Sequence, residues 1–493
     1  MNKIKKLAGQ TAIYGLSSIV GRLLNYLLVP IYVRVFTPTE YGVVAELYAY
    51  VGLLIVVLTY GMETGFFKYA KNDNTETNKV YSTSLISLFI SSIFFVGFIL
   101  LFKQNIANII GYSNNPEYIL WFGIVIAADA FTSIPFAYLR QQNKAFRFAI
   151  IKLINIGSNI GLVLFFIFVL PYLANNYDYA IINSIYNKNI GVGYIFIANL
   201  LASLLTLLLL IGDIPFGNLV FDKKILKILL IFSLPLMLSG LAGVMNESLD
   251  RILLKYYLPG TREEIMAQIG IYGANYKIAV LMTMFIQMFR YAAEPFFFSN
   301  QKDKSSGKLY ADVMKYFIIF GLLIFLGVNL YINIVKHFVS KDFYDGLTIV
   351  PIVLAANLFV GINYNLSIWY KFTNKTMYAI YLNGFGAIIT IILNIIFIPK
   401  YGFMASAWAT FVCYFSIMIL SFFLSKKYYP VNYDLKSIFL YSAIASIIFF
   451  GFYNIKFSSS IIEFIVATLL FILFIAIVYL KEKKSFKILI SSN

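Results

Sequence analysis

The chain has 493 residues, of which 60% are hydrophobic and only 12% charged, with a formal net charge of +17 and a mean hydropathy of +0.81. Soluble domains carry about 25% charged residues, and disordered chains need low hydrophobicity, so both classes are excluded. One Cys and one His leave no disulfide framework and no Cys- or multi-His metal centre. The basic residues are scattered through short loops rather than gathered in one patch, which excludes a nucleic-acid partner.

A membrane-crossing helix needs about 20 mainly apolar residues. In chain order the sequence predicts fourteen such spans, near 8–35, 39–68, 79–103, 117–140, 146–171, 190–212, 226–256, 267–299, 310–336, 346–370, 376–398, 402–425, 436–454 and 460–480. The first is followed by Thr37-Pro38-Thr39-Glu40, a capping box with Pro at the first helical position. Thr261-Arg262-Glu263-Glu264 repeats that spacing before the eighth. Glu40, Glu263 and Glu264 are therefore read as helix starts. Met282, Met284 and Met288 read as packing residues, Phe296 to Phe298 as lipid-facing or interfacial, and His337 as interfacial. The largest connection, about Tyr172 to Asn189, leaves no room for a catalytic domain.

Lys and Arg set the orientation. With the N-terminus inside, twenty-five basic residues fall in inner segments, Lys152 among them, and nine in outer segments, Lys255 among them. That bias predicts a multi-pass protein of the bacterial inner membrane with both termini cytoplasmic.

An internal repeat runs through the spans. Tyr41-Gly42, Glu63 and Phe66-Phe67 recur 231 residues later as Tyr272-Gly273, Glu294 and Phe297-Phe298. Arg140, Asn143 and Lys144 recur at the same offset as Lys371, Asn374 and Lys375, while Arg22 and Pro30 recur at 229 as Arg251 and Pro259. The unit is six spans, and an even number makes the repeat parallel. This predicts an N-lobe over 1–215, a C-lobe over 223–430, and two added helices with a tail over 431–493. Two lobes facing a shared cavity suit alternating access.

Charges at membrane depth cost at least about 2.5–3.5 kcal/mol each, so they usually face a cavity or a partner. The deep set is Arg22, Glu46, Glu63, Asp129, Glu247, Asp250, Arg251, Lys277, Arg290 and Glu294. All but Asp129 fall on spans one, two, seven and eight. The cations Arg22, Arg251, Lys277 and Arg290 suit an anionic ligand such as a phosphate or pyrophosphate. Glu46, Glu63, Asp250, Glu294 and Asp129 suit ion coupling or gating. The alternative is structural pairing, of Asp250 with a cation on a neighbouring helix or of Glu294 with Arg290 one turn away. Asn25, Asn246, Asn275 and Gln287 are candidates for ligand selectivity. No catalytic or metal-ligating set and no Walker-type phosphate loop is present in the sequence.

The run from Gln10-Thr11 to Gly21-Arg22, then Pro30 to Arg34, then Phe36 to Gly42, resembles the opening of the polysaccharide-transport branch of the MOP exporters. Pro399-Lys400-Tyr401-Gly402 with Ala405-Ser406-Ala407-Trp408-Ala409 resembles that family's twelfth span. The resemblance implies an all-α fold of about fourteen helices, MATE- and MurJ-like, with a cavity lined by spans one, two, seven and eight. It implies a Wzx-like flippase, not an enzyme, that moves an undecaprenyl-pyrophosphate-linked oligosaccharide such as an O-antigen unit to the outer leaflet. No cofactor is expected beyond coupling to H⁺ or Na⁺. Expected partners are the lipid-linked substrate, membrane lipid, and a polymerase or ligase of the same pathway. Rival readings are a MATE-like drug antiporter, whose cavity should be more acidic, and a lipid II flippase, whose arginine set Arg22 and Arg251 match only loosely.

Overall fold

The computed structural model describes residues 19–70, 74–214, 216–299 and 306–491. The first eighteen residues, Lys71, Lys302, Lys304 and the side chain of Glu294 lie outside what is described. Every described regular element is helical. Among the described residues twelve helices are long and apolar enough to cross a membrane, and one further pair that passes together is bent by 42°. The fourteenth expected span is the first, whose helix is described only from residue 19.

The chain forms two compact units, 1–270 and 271–493. In the first, α1 (residues 19–27) leads through Leu28 to α2 (Val29–Val35) and then α3 (Pro38–Thr59). The Thr37–Glu40 capping box is formed in both directions, closing two orphan N–H groups at the start of α3. The second span is not one straight helix. Tyr60 (φ +33°) and Gly61 (φ +69°) are both left-handed, which ends the ladder before α4 (Met62–Tyr69). A Cβ on Gly61 would also stand 2.7 Å from the Ser233 carbonyl.

Next come α5 (Asn74–Ile109), α6 (Pro116–Gln141) and α7 (Ala145–Leu164), which runs on through a π turn into α8 (Leu170–Asn176). The connection after it holds a short helix, α9 (Ala180–Ile185), before α10 (Gly193–Ile211). The helix α6 is the centre of this unit, with α3, α5 and α10 packed around it. Tyr48, Phe122 and Phe196 make the aromatic joint, with edge-on and tilted rings 4.5–6.4 Å apart. Outward faces stay apolar: Phe94 and Leu101 on α5 are 77% and 81% exposed, as lipid-facing positions should be.

The long helix α11 (Lys223–Tyr257) lies along α3 and α4. The following helix, α12 (Arg262–Ile278), starts with its own reciprocal cap, Thr261 N–H to Glu264 at 2.8 Å and Glu264 N–H back to Thr261 at 3.4 Å. It crosses α3 with no side chain between them. A Cβ on Gly42 would fall 2.0 Å from the Met266 carbonyl, and one on Gly270 1.9 Å from that of Pro38.

In the second unit, α12 bends at Ala279 into α13 (Val280–Ser299). The Ala279 carbonyl accepts from the buried Asn357 amide at 3.1 Å, so the bend leaves no orphan acceptor there. There follow α14 (Ser306–Leu330), α15 (Ile332–Val335), α16 (Val350–Leu366), α17 (Ile368–Phe372), α18 (Met377–Tyr401), α19 (Phe403–Tyr428), α20 (Leu435–Tyr453) and α21 (Ser460–Ser491). The core packs α16 on α19 and α18 on α19, with α20 and α21 laid against α14. Phe297, expected at a lipid face, is instead buried against Tyr310. Its aromatic edge finds a protein partner, and Tyr310 donates to its carbonyl at 3.0 Å.

Candidate functional site

The sequence-predicted charges separate into groups, and the first lines a polar cavity of about 450 Å³ inside the first unit. Three helices each present a polar stripe at helical spacing: Asp129, Thr132, Ser133 and Arg140 on α6, Lys152, Asn155 and Asn159 on α7, and Asn199, Ser203 and Thr206 on α10. Asn25 of α1 and Glu63 of α4 complete the wall. The break at Tyr60–Gly61 places Glu63 in the first turn of α4, and Arg140 occupies the last turn of α6. The two form an ion pair, each also at the helix end that favours its charge. Asn143, left-handed at φ +57°, ends α6 three residues later.

Asp129 opens onto the cavity and bonds to Ser203, with Lys152 as its nearby counter-charge. Lys152 was expected in an inner loop segment. It lies two turns into α7, its ammonium 4.1 Å from the centre of the Phe136 ring. Arg140, Lys152 and the asparagines of α7 were missed as site residues. The signal for them was the i, i+3, i+7 recurrence of polar residues inside apolar spans.

The second group is a buried bolt. Glu46 is fully buried and accepts 2.5 Å hydrogen bonds from Tyr112 and from the Lys255 ammonium. Lys255 also reaches the Ile110 carbonyl. Lys255, expected in an outer connection, belongs to the last turns of α11 and so joins α3, α11 and the Ile110–Tyr112 turn.

The third group sits on α11. Asp250 and Arg251 are both buried and pair at 3.2 Å, and Arg251 donates to the Glu247 carbonyl at 2.8 Å. Asp250 thus has a cation beside it on its own helix, its chain neighbour Arg251, whose backbone N–H also donates to it at 2.8 Å. Glu247 is exposed, as is Arg22 on α1, one turn before Asn25.

In the second unit, Lys277 and Arg290 are exposed. Arg290 and Lys371 both approach the Tyr364 ring, at 5.2 and 4.8 Å. Asn246 and Asn275 are buried, and Asn275 donates to the Phe343 carbonyl at 2.7 Å, a packing role. One deep charge was overlooked: Lys315 of α14 is buried and pairs with Glu482 of α21 at 2.9 Å, and Tyr441 of α20 donates to Glu482 at 2.7 Å. Glu482 falls in the run expected as a cytoplasmic tail.

Residues 7–301 match the model of a family described as polysaccharide biosynthesis proteins. The chain belongs to that family. Its fold is that of the MOP superfamily. A structure titled as the lipid II flippase MurJ in an inward closed conformation superposes with a TM-score of 0.73 at 18% identity, over 95% of this chain and 99% of that one. An inward-facing multidrug resistance MATE transporter gives 0.65 at 16%, over 83% and 94%. A MOP superfamily transporter from Pyrococcus furiosus gives 0.55 at 14%, over 85% and 95%. A search of curated protein sequences finds no match. The chain is thus a multi-pass, all-helical membrane protein of the polysaccharide biosynthesis family, with a fold similar to those of solved MurJ and MATE structures.

Proposed function

We propose that this member of the polysaccharide biosynthesis family flips an undecaprenyl-pyrophosphate-linked oligosaccharide, an O-antigen or other surface-polysaccharide unit, from the inner to the outer leaflet. The observation that carries this reading is a polar cavity of about 450 Å³ built on three helical stripes, inside a bundle whose outer faces are apolar. Buried polar surface of that extent is costly to keep unless something polar enters it.

In this reading both termini are cytoplasmic and the protein cycles by alternating access, halves 1–215 and 223–430 moving with 431–493 as an addition. Arg22, Arg251, Lys277 and Arg290 engage the pyrophosphate. Glu46 and Glu63, each tied across helices to a cation, act as gate contacts that break and re-form. Asp250 and Glu294 are the places where H⁺ or Na⁺ enters the cycle, and Asp129 is a further gate contact. A polymerase or ligase receives the product.

The test is complementation of cells that lack their own flippase, supplied with the cognate lipid-linked glycan, scored by surface polysaccharide. Rescue supports the reading. Efflux of cationic drugs without rescue would move the assignment to an antiporter. Normal rescue by both Arg251→Ala and Lys277→Ala at normal expression would remove the pyrophosphate assignment.

A further inference from the structure

The cavity of the first unit differs in character from the cation set assigned to the pyrophosphate. Glu63 is matched by Arg140, and Asp129 has Lys152 as its counter-charge, so the wall carries two acids against two bases. A bare anion entering it would face Asp129, and a bare cation would face Lys152. A ligand without formal charge leaves this balance of two acids and two bases unchanged.

What remains unmatched on the wall is hydrogen-bonding capacity. Among the described residues the Lys152 ammonium packs on the Phe136 ring and makes no hydrogen bond or ion pair. The Asn159 Oδ1 and the Arg140 Nε are buried with no partner. An acceptor and donors left unmade inside a protein cost about 1–3 kcal/mol each, which a bound group with both functions recovers. The Thr132 and Ser133 hydroxyls donate to the Asp129 and Ala130 carbonyls at 3.2 and 2.6 Å and keep acceptor lone pairs for a ligand. Two flat apolar walls, Phe136 and Phe148, stand edge to face at 5.3 Å. Alternating hydroxyls with an apolar ring face are the chemistry of a pyranose. At about 450 Å³ the space is at the lower end of small-molecule sites, roughly 300–1,000 Å³, which suits one or two rings and not a whole oligosaccharide.

We infer that this cavity is a sugar subsite: it takes a neutral sugar residue of the head group and reads its hydroxyl pattern, apart from the cations that hold the phosphates. The inference rests on the flippase reading but names a separate place and a separate chemistry.

The experiment uses the full chain in lipid nanodiscs free of sugar detergents, with free N-acetylglucosamine, methyl glucoside, glucuronate and inorganic pyrophosphate as probes. Saturation-transfer NMR reads binding. The neutral sugars are expected to bind, Asn159→Leu and Thr132→Val to weaken them about tenfold, the equivalent of one lost hydrogen bond, and pyrophosphate not to displace them. Thr132→Val is nearly isosteric, so it keeps the test valid if Asn159→Leu fails to fold. No neutral sugar binding, unchanged binding in Thr132→Val, or displacement by pyrophosphate each overturns the subsite. Complementation separates the two ideas. A wild type that rescues while its variants bind sugar normally removes the subsite and leaves the flippase. A wild type that binds sugar here yet rescues no glycan pathway removes the flippase and leaves the subsite.

Discussion

At the scale of single residues, the bolt around Glu46 makes the sharpest demand. A carboxylate with no solvent contact is stable only because Lys255 and Tyr112 bond it. Removing one partner of such a pair costs about 3–5 kcal/mol, while replacing both with apolar groups of similar size is close to neutral. Lys255→Met is therefore expected to lower the thermal unfolding midpoint sharply, and Glu46→Leu/Lys255→Met to recover most of the loss. A loss in the double variant equal to the sum of the two single losses would show that the pair carries no coupling. Gly42 makes a different demand. Backbone contacts of 1.9–2.0 Å to any Cβ at Gly42 or Gly270 leave no rotamer that fits. Gly42→Ala should force α3 and α12 apart and reduce folded protein on size exclusion, whereas Gly97→Ala, which meets nothing within 4 Å, should be tolerated.

At the scale of elements, the helix ends show how far local sequence speaks. Both capping boxes were legible, because a side chain three residues away supplies the bond. The repeat was legible too, and the structure gives it a physical form. Asn143 and Asn374, 231 residues apart, are left-handed at φ +57° and +56°. Lys144 and Lys375 then donate to Leu139 and Tyr370, at 2.9 and 2.8 Å. Asn tolerates this conformation better than other non-glycine residues, so Asn143→Val and Asn374→Val should each destabilise by about 1–2 kcal/mol, read as matched shifts in the denaturation midpoint. What the sequence concealed were the interruptions. Tyr60 has no special propensity for a left-handed turn, and Ala279 none for a bend; each is held by a partner far along the chain, Tyr60 by a hydrogen bond with Ser87 and the Ala279 carbonyl by Asn357. A cap also sets a pH dependence. Asp434 starts α20, and its hydrogen bonds with Ser437 hold its carboxyl below the usual range. Its contribution is complete above the unfolded value of about 3.9 and is lost as pH falls through the lowered folded value. Asp434→Asn should therefore flatten the acid limb of the stability profile by lowering stability at neutral pH while leaving it nearly unchanged in acid.

At the scale of the whole molecule, composition alone gave class and membrane residence, since no soluble core absorbs this much apolar sequence. The expected span count followed from length; the described residues hold twelve such helices and one bent pair. The site was only half legible. Charge at depth located Glu46, Glu63 and Asp129, but their partners Lys255, Arg140 and Lys152 stood near predicted boundaries and were read as loop residues. A boundary error of a few residues is enough to move a long cation from interior to surface. The same holds for the last helix, where Glu482 ties α21 to Lys315 and to Tyr441. Truncation after residue 453 should thus strand a buried ammonium, and Lys315→Met is expected to restore yield to that truncated chain.

The balanced cavity wall bears on energetics across the bilayer. A protein segment that carries net charge through the field does electrical work, about 2.3 kcal/mol per elementary charge per 100 mV. Two acids matched with two bases move as dipoles, and a rearrangement of the cavity as a unit meets almost no voltage. The potential then acts on whatever charge the cargo brings or a coupling ion adds. Turnover measured at clamped potentials should report the valence of the passenger, not of this part of the carrier.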